Sequence, residues 1–235
     1  MKPPFASVPG AGEGKILDFD IENRPLSYWI ADRPTAEITA LASMWVGDHD
    51  SLEVWLLGPP CFHRGCPGYS GGRCSEWPEE VMTLREMLAR FTQRYDEATL
   101  VTGHYIRRHD LPIVNGALYE LGMPLLKGKM SCDTKLDMFK KADIPASQEF
   151  LLELLKPVCP IGMQVYKEHM TQHDWREANR LLPEGLRRTA VRVGSDVHSH
   201  THMRDEMIRL GMLRAPSMWN PGGGASEATE RRTHR

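Results

Sequence analysis

The chain has 235 residues, 41% hydrophobic and 26% charged, with a formal net charge of −2 and a pI near 6.6. That length can bury a full core, as one domain or one plus a small appendage, and the composition is ordinary for a globular protein. The charge balance excludes a global basic field, so any nucleic-acid contact must be local, and no apolar run approaches a membrane span.

Residues 1–14 are rich in Pro and Gly and read as a flexible arm. MKPPFASVPGAGEGK carries no apolar stretch like a signal-peptide core, so secretion by that route is not expected. Strand-like runs follow at 15–22, 36–46 and 52–57, then a Gly/Pro/Cys loop at 58–77. Pro78 opens a helical pattern with Val81, Leu84, Leu88 and Phe91 at helical spacing. TLVTG reads as a short strand ending at Gly103, and LPIVNGALYELG as a helix closed by Gly122. KMSCDT reads as another strand. SQEFLLELL, MTQHDWREANRLL and a pattern from about 189 to 210 read as helices. The tail 220–235 reads as disordered. This order predicts an α/β domain over 15–213, with a mixed central sheet made of a three-strand meander followed by strand–helix crossovers, flanked by helices.

Within the first strand, GKILDFDIEN interleaves Asp18, Asp20 and Glu22 with Leu17, Phe19 and Ile21. Side chains alternate along a strand, so the acids share one face and the apolar residues the other. Like charges crowded on a core strand make sense if cations neutralise them, and Mg²⁺ or Mn²⁺ prefer oxygen donors. An edge strand with one wet face would give the same pattern. A two-ion site needs about four carboxylates. Asp110 follows the strand TLVTG directly before a helix, where it would also serve as an N-cap. Asp196 lies in the late helical pattern, where it would otherwise be a solvated acid on a helix face.

Taken in order, D-x-E at Asp20 and Glu22, an Asp after Gly103-His104, and Asp196-Val197 in a late helix resemble the DnaQ-like 3′–5′ exonucleases of the DEDD superfamily, on an RNase H-like fold. The first motif departs at Asn23, where the family has Thr; the second has Tyr105 where the family has Asn. Cys132-Asp133-Thr134 resembles the D-T strand that commonly follows. The resemblance covers roughly residues 15–210. It implies two Mg²⁺ or Mn²⁺ ions held by Asp20, Glu22, Asp110 and Asp196, and hydrolysis of terminal phosphodiester bonds of DNA. The family places Tyr four residues, or His five residues, before the last Asp. Before Asp196 those positions hold Arg192 and Val191; before the alternative ligand Asp205, the His position is His200. The D-V step and the Met203/Met207 stripe favour Asp196. In either register His200 is the imidazole expected to deprotonate the attacking water, while His198 and His202 read as wet helix surface. Tyr105 is expected to stack on a base, and Arg107 and Arg108 to hold phosphates. Asp18, outside D-x-E, is expected to be a nearby acid that is either solvated or stands behind the metal ligands without touching the ions.

The sequence CFHRGCPGYSGGRC in the 58–77 loop offers Cys61, His63, Cys66 and Cys74, a candidate tetrahedral zinc set with non-standard spacing. A Gly-rich loop with reduced thiols gives the same pattern. Five cysteines and no signal segment point to a cytoplasm-like compartment, a host's cytoplasm if the protein is viral. The function expected first is a metal-dependent 3′–5′ exonuclease on single-stranded or 3′-end DNA, with a DNA polymerase as a candidate partner. A related nuclease acting on RNA, or a catalytically weak nucleic-acid-binding accessory protein, are the alternatives.

Overall fold

The computed structural model describes residues 14–30, 33–62, 65–70, 72–139, 144–159 and 162–222. The N-terminal arm up to residue 13, His63 and the tail from residue 223 lie outside the described residues. Among the described residues, seven strands form one sheet: β1 (Ile16–Ile30), β2 (Arg33–Trp45), β3 (Asp48–Leu57), β4 (Val81–Met82), β5 (Leu100–Gly103), β6 (Lys129–Asp133) and β7 (Ser217–Trp219). Its order is β4-β3-β2-β1-β5-β6-β7. β1, β2 and β3 are an antiparallel meander; β5 runs parallel to β1 and β6 parallel to β5. Five α-helices among the described residues flank it: α1 (Leu84–Glu97), α2 (Asp110–Glu120), α3 (Gln148–Leu155), α4 (Gln172–Asn179) and α5 (Pro183–Arg209). This is a mixed α/β fold, compatible with the RNase H-like arrangement. No helix among the described residues is long and apolar enough to cross a membrane.

The expected meander is present, with longer arms. β1 continues past Glu22 to Ile30, because a bulge between Glu22 and Asn23 lets pairing with β2 resume. Val46 and Gly47 turn the β2–β3 hairpin, and Gly47 takes φ +89°, which glycine adopts without strain. The helix expected from Pro78 starts later. Thr83 caps it: its hydroxyl accepts the Glu86 N–H at 3.3 Å, and the Glu86 carboxylate accepts the Thr83 N–H at 2.9 Å. Val81 and Met82 instead pair with β3. The last helix begins six residues earlier than its apolar pattern, at Pro183, whose fixed φ suits a first helical position. β7, at the sheet's edge, carries no period of its own.

β1 alternation divides the core. Leu17, Phe19 and Ile21 are buried in the main apolar cluster with Met87, Leu88 and Phe91 of α1 and Val114 and Leu118 of α2. Phe19 and Phe91 rings lie 5.0 Å apart. The opposite face is covered by α5, which packs on β1, β2 and β3.

That second contact is polar at its centre. Asp18 is fully buried, and so is Arg204 of α5; Arg204 Nη1 lies 2.8 Å from Asp18 Oδ2. The Thr201 hydroxyl donates to the same oxygen at 2.6 Å, and His200 Nδ1 lies 2.8 and 2.9 Å from the two Asp18 oxygens. Asp18 is therefore a buried anchor for α5; of the two expected roles, the solvated one is ruled out by its burial. Taking Asp18 away strips a buried cation of a buried partner, which costs about 3–5 kcal/mol. Asp18→Ala should accordingly lower unfolding free energy by about that amount in a denaturant titration, whereas Asp20→Ala should not destabilise the metal-free chain.

Candidate metal centre

Once α5 is anchored at Asp18, the next outward residues of β1 on that face, Asp20 and Glu22, meet Asp196 one helical turn before His200. Carboxylate oxygens of Asp20, Glu22 and Asp196 lie within 4.8 Å of one another. Asp110 borders this group. It is the first residue of α2 but does not cap it; His109 stands at the cap position, without a side-chain cap bond. Asp110 Oδ1 instead accepts the Ile21 N–H at 3.1 Å, tying the start of α2 to the acid strand between Asp20 and Glu22.

The loop that delivers Asp110 is organised by Asp133 at the end of β6. Its Oδ1 accepts the backbone N–H groups of Tyr105, Lys135 and Leu136 at 3.0–3.1 Å, and its Oδ2 accepts that of Arg107 at 3.0 Å. Gly103 opens the loop where a Cβ would lie 2.3 Å from Ile106 and 2.8 Å from the Phe19 carbonyl oxygen, so only glycine fits.

Crowding shows in the acidities. Burial, then the charges of Asp110, Asp196 and Glu22, raise Asp20 well above the carboxylate range. Burial, then Asp196, push Glu22 up to about 7, against the opposing pull of Arg192 and Lys167. Burial also raises Asp196, offset in part by Lys167 and Arg192. These two cations are the residues that sequence reasoning missed as parts of the site. Lys167 Nζ lies 3.2 Å from Asp196 Oδ2, and Arg192 Nε lies 3.0 Å from Asp196 Oδ2 and 3.4 Å from Glu22 Oε1. The other oxygen, Asp196 Oδ1, is buried and has no hydrogen-bond partner among the described residues. Arg192 could have been found, since it stands one helical turn before Asp196. Lys167 lies in the irregular stretch between α3 and α4, where no period marks it.

The remaining expected residues divide. Asp205 is 40% exposed and paired to Arg204 at 2.9 Å, so Asp196 and not Asp205 joins the cluster. His200 does not stand free as a base. It is buried, with Nδ1 on Asp18 and Nε2 3.1 Å from the Thr134 hydroxyl. The imidazole at the rim is His109, 44% exposed, with Nδ1 3.3 Å from Asp110 Oδ2. Arg107 is not a free phosphate donor: its guanidinium binds Asp137, and its Nε donates to the Ser131 hydroxyl at 2.9 Å. Arg108 is exposed. Tyr105 holds φ +72°, with the Lys135 ammonium 4.0 Å from its ring centroid.

Among the described residues, two further donor clusters are distinct from the acids. Sulfur atoms of Cys61, Cys66 and Cys74 lie within 4.8 Å of one another, while His63 lies outside the described residues. Hydrogen bonds from the backbone of Ser75 and Gly68 pull the Cys66 thiol down to about 6. The second cluster is His49, His198 and His202. His198 and His202 are half-buried rather than the wet surface expected.

No protein-family model and no curated protein matches the chain. Among solved structures it is similar to the family B DNA polymerase from the hyperthermophilic archaeon Pyrobaculum calidifontis, with a TM-score of 0.50 and 16% identity. The match covers 83% of this chain and 24% of the polymerase chain, so this chain spans about a quarter of that protein's length. At that identity the likeness is one of fold.

The raised Glu22 has a thermodynamic signature in the metal-free protein. A carboxylate held at about 7 when folded, against 4.5 ordinarily, binds more protons folded than unfolded between those values. Its contribution is present below about pH 4.5 and is lost as pH rises through about 7. His104 and His202, pushed down to about 3 and about 4 chiefly by burial, act in the opposite sense, so the difference between parent and variant is the readout. Without metal, Glu22→Gln should gain stability over the parent by on the order of 1–3 kcal/mol as pH rises through that window. A pH-independent difference in denaturant titrations would contradict the raised pKa of Glu22.

Proposed function

We propose that the chain is a metal-dependent 3′–5′ exonuclease acting on DNA, with Asp20, Glu22, Asp110 and Asp196 as the ligands of two Mg²⁺ or Mn²⁺ ions. The observation that carries this reading is the convergence of Asp20, Glu22 and Asp196 within 4.8 Å, with Asp110 alongside. The donor set fits the ions: all oxygens, mutually repelling, with a buried Asp196 Oδ1 that lacks a partner among the described residues. The fold likeness to a DNA polymerase supports a nucleic-acid substrate, and the order of the acid motifs supports the 3′–5′ polarity.

When bound, two such ions activate water and stabilise the leaving oxygen of a phosphodiester. The chain's own groups do the rest. Asp20, which feels the charges of the other three acids, would hold the ions together with Glu22, Asp110 and Asp196. Asp110 is oriented through the Ile21 N–H, and Asp196 through the anchoring of α5 on Asp18. Arg192 and Lys167 balance the acids before cations arrive. His109, at the rim beside Asp110, is the imidazole placed to exchange protons with solvent. Arg108 is left as the exposed guanidinium of this loop for a phosphate.

In an assay on 3′-labelled single-stranded DNA, cleavage should require Mg²⁺ or Mn²⁺ and disappear in Asp20→Ala and Asp196→Ala chains that remain folded. His109→Gln should slow it by about 10²-fold at neutral pH, the lower scale of general acid–base assistance. A second reading rests on the same ion pairs: Lys167 and Arg192 already pair with one oxygen of Asp196, Oδ2, as in a nucleic-acid-binding accessory protein without cleavage. Binding of the oligonucleotide with no metal-dependent product would decide for it, and preference for an RNA strand in the same assay would decide for an RNA-directed nuclease.

The loop thiols belong to this proposal as a structural zinc site on Cys61, Cys66 and Cys74, with His63 as the expected fourth donor. Metal analysis should then return about one zinc per chain that survives mild EDTA treatment. Zinc retention unchanged in a Cys66→Ser chain would remove the site.

A further inference from the structure

His49, His198 and His202 come from two distant parts of the sequence. His49 is the second residue of β3, just past the β2–β3 turn. His198 and His202 are four residues apart on α5 and share one helical face. One ring nitrogen of each lies within 4.8 Å of the others. The ring centroids of His198 and His202 are 4.8 Å apart at 72°, and those of His49 and His202 are 5.3 Å apart at 17°. His202 Nε2 is buried with no hydrogen-bond partner among the described residues.

We propose that these three imidazoles are a binding site for a borderline divalent transition-metal cation such as Zn²⁺, Co²⁺ or Ni²⁺, separate from the carboxylate cluster. Imidazole nitrogen suits these ions, whereas Mg²⁺ and Mn²⁺ prefer the oxygens of the acid cluster, so the two sites sort cations by chemistry. Two histidines one turn apart with a third from another element form a three-nitrogen set that leaves a fourth position for water or an added ligand. Ring stacking alone explains the His49–His202 pair but leaves the buried His202 nitrogen without a partner. A cation shared by the three would join the start of β3 to α5, the helix that carries Asp196. The inference stands whether or not the acid cluster cleaves DNA.

The test is a Co²⁺ titration of the full chain, stripped of metal and held in excess Mg²⁺ to fill the carboxylates. Cobalt on the loop thiols gives an intense thiolate-to-metal charge-transfer band; cobalt on imidazoles gives only weak visible bands. The parent should show a component with imidazole nitrogen ligands and no thiolate. His49→Gln, at an exposed position that leaves the core untouched, should weaken that component by about 100-fold or more, since even outer partners of a ligand cost 10–100-fold. His198→Gln should do the same, and Zn²⁺ should raise the melting temperature of the parent more than that of His49→Gln. The proposal is overturned if the parent binds cobalt only through thiolates, or if the nitrogen component persists unchanged in His49→Gln. Loss of DNA cleavage is not among these readouts, so failure here and failure of the nuclease reading are separable.

Discussion

The buried ion pair between Asp18 and Arg204 is the constraint on which the rest of the site depends. Both side chains are fully withdrawn from water, 186 residues apart in sequence, and joined at 2.8 Å. Isolated buried charges cost several kcal/mol each, so the pair forms only in an arrangement that brings β1 and α5 together with Thr201 and His200 also directed at Asp18. Apolar contacts between a helix and a sheet tolerate sliding by a turn; a buried pair with these hydrogen bonds does not. Asp196, two turns before Arg204 on α5, is thereby set opposite Asp20 and Glu22.

The acids pull against this arrangement. Strand alternation puts three carboxylates on the covered face of β1, and only Asp18 finds a full set of partners there. Asp20 and Glu22 are held among like charges, at the expense of proton affinities raised far above those of free carboxylates. Lys167 and Arg192 relieve part of the repulsion, both at the same oxygen of Asp196 and Arg192 also at Glu22. The other oxygen stays buried and unpartnered among the described residues. A fold stabilised at one end of a strand thus carries an unstable concentration of charge at the other, which the divalent cations proposed for this site would relieve. The same helix holds its imidazole cluster toward the β2–β3 hairpin, so α5 presents different donors to different parts of the meander.

Much of this was legible in the residues. Period-two alternation places Asp20 and Glu22 on one face, the break before α2 marks Asp110, and the D-V step with the Met203/Met207 stripe favours Asp196 over Asp205. The helices and main strands follow from their apolar periods, with boundaries moved by a capping box at Thr83 and a proline at Pro183. What could not be read is what only the third dimension brings together. Nothing in the spacing distinguishes Asp18 from Asp20; the difference is Arg204 reaching one and not the other. His200 has the sequence position of a base, yet the same closeness to β1 that brings it to the site turns its Nδ1 onto Asp18. Arg107 sits where a phosphate contact is expected, but Asp137 captures it across the loop. Lys167 and His49 belong to no local pattern, and their roles arise from contacts far apart in sequence.

The most direct test of the account is anomalous scattering from crystals of the chain grown with Mn²⁺. The account predicts manganese between Asp20, Glu22 and Asp196, with Lys167 Nζ displaced from Asp196 and the Asp18–Arg204 pair unchanged. Absence of manganese from this cluster, with Lys167 and Arg192 still seated on Asp196, would contradict it.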